Sequence, residues 1–196
     1  MDIEKIAEVV ETSSSEFVAQ CYELDGVPAL GSMVKTRGKE GDIYGIVYTS
    51  ATHSIEPGRR ITARGQKASS DADIFKNNPQ LAKLLCSDFH ALVIGHRDGK
   101  AVFQYLPPSP ASVYAFVYSC SPNEVKLFTQ SLNFLNLLLD SKLPGSTDEV
   151  IAAFLRYASR THDEPEDFLV KAGKELAWLL SNDIRRLDSI LKRLRQ

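Results

Sequence analysis

What most constrains this chain is a change of hydrophobic period at Ser121. Before it, β-branched and aromatic residues come in short runs, at 17–24, 32–35, 43–50, 89–94, 101–106 and 113–118. That is the pattern of strands. Gly26-Val27-Pro28, Arg37-Gly38-Lys39-Glu40-Gly41 and Glu56-Pro57-Gly58 supply turns, and Asp98-Gly99 is the strongest hairpin signal. Gly45, inside 43–48, predicts a bulge or tight bend. Pro107-Pro108-Ser109-Pro110 forbids regular pairing. One short inserted helix is expected in this half, and the N-terminal stripe leaves helix and strand both open. Ile3, Ile6, Val9 and Val10 fit a helical stripe, although Val9-Val10 also suits a strand, and 79–86 sets Leu81, Leu84 and Leu85 on one side.

From Ser121 onward, Ser121-Pro122-Asn123-Glu124 combines an N-cap, a proline at the first helical position and a glutamate at the third. Val125, Phe128, Leu132, Leu135 and Leu139 then predict one helix over 122–141. Pro144-Gly145 ends it. Ser146 with Glu149 forms a second capping box ahead of Val150, Ile151, Phe154, Leu155 and Ala158. Glu164-Pro165-Glu166 opens a third helix. Unbroken to Arg195 it would be about 45 Å long, more than a body this size accommodates, so a break is expected at Ser181-Asn182-Asp183. The class is therefore α+β, with strands over 1–120 and three to four helices over 121–196. Only Ser119-Cys120 separates the halves, so the helices should pack on the strands.

With 196 residues, 43% hydrophobic and 24% charged, the chain suits one packed domain and not a disordered or disulfide-built one. Its densest apolar run, Phe134 to Leu139, is interrupted by Asn136, so no membrane insertion is expected. The start, Met1-Asp2-Ile3-Glu4-Lys5, has the charge of neither a secretory nor a transit signal, and a cytoplasmic location is expected. Cys21, Cys86 and Cys120 exclude a fully paired disulfide framework and any CxxC site; they read as buried, reduced thiols. Charge is uneven. Residues 1–30 carry seven acids against Lys5 alone, 31–70 are net +4 and 183–196 are net +3, within a total of −2. That total disfavours a dedicated duplex DNA binder.

Three stretches carry a family likeness: Phe17-Val18-Ala19-Gln20, Ala29-Leu30-Gly31-Ser32-Met33-Val34-Lys35 and Asp42-Ile43-Tyr44-Gly45-Ile46-Val47-Tyr48. Together they resemble the HAS-barrel, the small β-barrel at the N-terminus of HerA-type translocases and of the F-type ATP synthase α and β subunits. Over the whole chain, Leu106-Pro107-Pro108-Ser109-Pro110 and the helical end included, the pattern resembles cyanobacterial HAS-barrel proteins that lack the ATPase core. The resemblance implies a small antiparallel HAS-like barrel of six strands over 1–120, a shape that needs glycine-cornered meanders. In the ATPases this barrel holds rings together while a separate P-loop core hydrolyses nucleotide. Here no GxxxxGK[ST] occurs.

Catalytic motifs are equally scarce. Gly95-His96-Arg97-Asp98-Gly99-Lys100-Ala101 comes nearest to a phosphate loop, but it is one residue short and ends in alanine. A hairpin explains it. His53, His90, His96 and His162 form no HExxH, Cys86 with His90 is a lone i,i+4 pair, and no GxSxG is present. No catalytic, metal or cofactor-binding residue is expected. Arg59, Arg60 and Arg64 are candidates for gripping a phosphate or carboxylate. Joined by Tyr44, Tyr48, Tyr105 and Tyr114 they would make a single-strand nucleic-acid surface, although these tyrosines also suit core packing. In the last helix Ile184, Leu187, Leu191 and Leu194 form a stripe, with Arg185, Arg186 and Arg193 mostly off it, a candidate partner-docking element, although the same pattern suits a core-packing helix with its charged face outward. The leading expectation is a non-catalytic protein-interaction or assembly module acting on a protein partner or a second copy. A nucleic-acid-binding barrel is the alternative and an enzyme the third.

Overall fold

The structure, a computed structural model, describes residues 5–56, 58–66 and 69–194. Of the residues invoked above, Met1 to Glu4, Pro57, Arg195 and Gln196 lie outside that set. Seven strands, β1 (Lys5–Thr12), β2 (Glu16–Cys21), β3 (Met33–Arg37), β4 (Asp42–Ser54), β5 (Leu85–Asp98), β6 (Ala101–Phe103) and β7 (Phe116–Ser119), form one antiparallel sheet. Its order is β2-β1-β7-β3-β4-β5-β6, and a further pairing of β2 with β5 brings the sheet round into a ring, with β6 attached to β5 outside it. The ring is uneven. β4 and β5 pair from Asp42 opposite Arg97 to Ser54 opposite Leu85, whereas β3 and β7 meet only at Val34–Ser119 and Lys35–Tyr118.

Two apolar clusters explain the strand sequences. Ala7, Val9, Phe17, Ala19, Val34, Ile43, Val47, Phe89, Ala91, Val93 and Val117 pack together inside the ring. Met33, Tyr44, Ile46, Tyr48, Leu92 and Ile94 face the other way and join the helical core. Strands β3 to β5 are thus buried on both faces, so β4 reads as a continuous apolar run over 43–48 and not as an alternation. Gly45 sits at a register shift, where an added Cβ would lie 3.0 Å from both Ala91 Cβ and the Phe17 ring.

The N-terminal segment is a strand and not a helix. Its buried positions are Ala7 and Val9, a period of two imposed by the slot between β2 and β7. The stretch expected to form one helix over 79–86 is instead a 3-10 turn over Pro79–Lys83, with Leu85 and Cys86 already in β5, and an unexpected helix, α1 (Asp71–Asn77), capped by the Ser70 side chain, precedes it. The last strand starts at Phe116, three residues later than its apolar run.

Five helices follow in the described residues: α2 (Pro122–Phe128), α3 (Leu135–Asp140), α4 (Thr147–Ser159), α5 (Pro165–Leu179) and α6 (Ile184–Leu194). They number five because the helix expected over 122–141 is broken. Gln104 holds the break open: its Nε2 donates to Phe128 O (2.6 Å) and Ser131 O (3.0 Å), and its Oε1 accepts from Phe134 N (3.3 Å). Past the break Phe134 and Leu135 are both fully buried in the core. The expected interruption at 181–183 is present between α5 and α6. Strand and helix residues share one core. Gly31 (φ 78°) lies so close to α4 that a Cβ there would stand 2.5 Å from Phe154 N.

Candidate functional site

The loop over 112–115 crosses from the proline-rich segment into β7, pinned on both sides by backbone hydrogen bonds. Ser112 N donates to Arg37 O (3.1 Å), Tyr114 N to Val9 O (2.9 Å) and Val9 N to Ala115 O (2.9 Å). Between these anchors Tyr114 adopts φ 65°, the one non-glycine residue with positive φ among those described. For a tyrosine this costs about 1–2 kcal/mol. The ring is 75% exposed and is flanked by Val113 and Phe116, themselves 49% and 43% exposed.

These side chains border a groove of about 710 Å³, whose opposite wall is Lys35, Thr36, Arg37, Gly38 and Asp42. Lys35 pairs with Glu124, and Asp42 with Arg97. Burial by itself would raise the Glu124 carboxyl, but the Lys35 ammonium and the Ser121 backbone and hydroxyl outweigh it and hold it below its ordinary value. Arg37 takes part in none of the ion pairs found among the described residues. The groove thus offers an aromatic edge, apolar neighbours and one guanidinium without an internal partner. Sequence reasoning treated 113–118 as a strand and missed this. The available signal was the rigid proline run just before it.

Arg59, Arg60 and Arg64 do come together, around a separate cavity of about 440 Å³ lined by Ile61, Ile74, Phe75, Leu81 and Leu85. Arg59 is paired with Glu56 at 2.8 Å. No tyrosine lines that cavity. Tyr44 and Tyr48 are buried at 2% and 6%, with Tyr44 edge-on to Phe128 and Tyr48 donating to Glu16 at 2.6 Å. The aromatic-plus-basic surface is therefore not assembled, because β4 faces its tyrosines to the helices.

The last helix packs its apolar stripe against the other helices. Ile190 and Leu194 are buried, and Leu187 and Leu191 pack against the helical core. Arg186 Nε donates to Asp148 Oδ1 (2.8 Å) and Arg193 Nε to Glu149 Oε1 (2.7 Å), both on α4. The stripe is a core face, since α5 stops early enough for α6 to fold back. Ile184 stays exposed and Arg185 faces solvent.

All three cysteines are free and buried. Burial, and secondarily the Asp88 charge, pushes the Cys21 thiol up to about 11; burial holds Cys120 higher still. Neither is a thiolate nucleophile near neutrality. Among the described residues one group of metal-ligating side chains converges: His53 Nε2 lies 3.3 Å from Cys86 Sγ and 3.4 Å from Asp88 Oδ2. It escaped sequence reasoning because 33 residues separate His53 from Cys86, and because Cys86 was considered with His90. His90 Nδ1 instead meets the Tyr48 hydroxyl at 3.3 Å. No protein-family model matches this chain, and no curated protein matches it.

Proposed function

We propose that this chain is a non-catalytic protein-interaction module, a small HAS-like barrel with a helical flank that holds a protein partner in the groove between Arg37 and Tyr114. The observation that carries the reading is Tyr114. An exposed aromatic in a strained, hydrogen-bonded loop is presented at fixed orientation, so little entropy is lost when a partner covers it. Val113 and Phe116 extend the apolar contact, and Arg37 supplies a guanidinium for a carboxylate on the partner. The occupant is therefore an extended protein segment with an apolar side chain close to an acidic one. The ring closed through β2 and β5 supports the barrel reading. Among the described residues no helix is long and apolar enough to cross a membrane. Free, buried thiols suit a reducing compartment, and we place the protein in the cytoplasm.

The test is affinity capture from the native organism with wild type, Tyr114→Ser and Arg37→Glu, followed by calorimetry with the purified partner. A partner held by wild type should bind each variant at least about 30-fold more weakly, as loss of a central anchor costs roughly 2 kcal/mol. Equal capture by wild type and both variants would remove the groove from the function. Retention of single-stranded oligonucleotide, but of no protein, would favour the nucleic-acid reading.

A further inference from the structure

We infer that His53, Cys86 and Asp88 form a binding site for a divalent cation of the zinc class. The site is made by the β4–β5 ribbon and is independent of the groove. His53 lies directly opposite Cys86, and Asp88 is two residues on in β5, so its side chain shares the face of Cys86. A register shift between Val47 and Thr49 puts His53 there. Ile43 and Val47 point into the ring, and one extra residue at Tyr48 turns the later odd-numbered positions of β4 to the outer face.

One linear hydrogen bond cannot serve both neighbours of His53 Nε2. An imidazole nitrogen has a single in-plane direction, for a proton or for a lone pair. His53 Nε2 nevertheless has Cys86 Sγ at 3.3 Å and Asp88 Oδ2 at 3.4 Å. Zinc bonds of about 2.0–2.3 Å at tetrahedral angles put neighbouring ligand atoms about 3.3–3.6 Å apart, matching both separations. The three donor atoms all lie within 4.8 Å of one another, a spread that side-chain rotation closes.

The surroundings fit as well. Gln20, opposite Asp88 on β2, donates from Nε2 to Asp88 Oδ1 at 3.1 Å. That fixes the carboxylate and leaves Oδ2 for the cation, as outer partners do in metal sites. His53 is half-exposed, which gives an entry path and a fourth position open to water or another ligand. A thiolate with an imidazole selects zinc over magnesium or calcium. One thiolate and one carboxylate also neutralise a divalent charge.

The experiment uses the reduced, chelator-stripped full chain. Cobalt(II) is titrated in as an optical probe, and zinc then competes for the site. We expect one equivalent of cobalt, a thiolate-to-cobalt charge-transfer band with tetrahedral visible bands, and displacement by zinc. His53→Gln and Cys86→Ser should each weaken zinc binding by more than about 100-fold, and Gln20→Leu by about 10- to 100-fold. Because His53 is half-exposed, His53→Gln should keep the metal-free melting temperature and so separate lost ligation from lost folding. Absence of the thiolate band in wild type, or a band that survives in both ligand variants, would overturn the site.

Discussion

Tyr114 shows how a single residue can be set for something other than stability. Its φ of 65° strains a tyrosine but suits glycine, and its ring has little to lose at 75% exposure. Tyr114→Gly should therefore leave thermal stability within about 1 kcal/mol of wild type while abolishing partner capture. A large fall in melting temperature would mean that the ring is structural. His162 is the opposite case. It stacks on Phe168 at 4.2 Å, and its Nε2 lies 2.8 Å from Thr129 Oγ1, whose own proton goes to Val125 O. The imidazole is therefore the donor. Burial first, then the Lys126 and Lys171 charges, hold its pKa below 6.5. The unfolded chain takes up a proton before the native one, so stability should fall as pH drops below 6.5 toward the lowered native value. Melting curves between about pH 7 and 5 should show a shallower decline for His162→Gln, and equal slopes would refute the assignment. Neither environment was legible in the sequence. The conformation of Tyr114 is set by backbone bonds to β1 and β3, and the charges around His162 come from α2 and α5.

At the scale of elements, local chemistry was readable wherever it was self-contained. The Ser121–Glu124 capping box, the Ser146 cap, the Asp98-Gly99 hairpin and the stop before α6 all form from their own residues. Elements that depend on distant residues were misread. The apolar spacing of α2 and α3 is that of one helix, and only Gln104, some twenty-five residues upstream, reveals the break. Similarly, β1 becomes a strand because β2 and β7 need a neighbour. The Arg37–Tyr114 groove was illegible for the same reason, as its walls come from β3 and from a loop some 75 residues later. If Gln104 maintains the break, Gln104→Ala leaves two backbone carbonyls and one N–H without partners, at a cost of about 2–3 kcal/mol. The expected result is a melting temperature lower by roughly 5 °C or more. An unchanged value would mean that the chain breaks here without help.

For the molecule as a whole, the question is whether the strands and the helices stand apart. They share one core, in which Met33, Ile46, Leu92 and Ile94 from the sheet meet Phe128, Phe134, Ile151 and Phe154 from the helices. Phe134 sits edge-on to Phe154 at 5.2 Å, so both halves lose contacts if α4 is displaced. Gly31 marks the closest approach. Alanine there would meet both an unfavourable φ and the α4 backbone at 2.5 Å, with no flexible side chain able to yield. α6 closes the far side of α4 through Ile190, Leu194 and the pairs Arg186–Asp148 and Arg193–Glu149. Removing residues 183–196 would uncover that face, with a loss comparable to several large-to-small core substitutions at about 2–5 kcal/mol each. That is the order of a domain's whole stability. The truncated chain should therefore be insoluble or lack a cooperative melt, and Gly31→Ala should destabilise in the same direction. Limited proteolysis of the intact protein should release no pair of separately folded fragments at residue 120. If the truncated chain melts cooperatively near the wild-type temperature, α6 is dispensable to the core and its apolar stripe is again free to serve as a docking face.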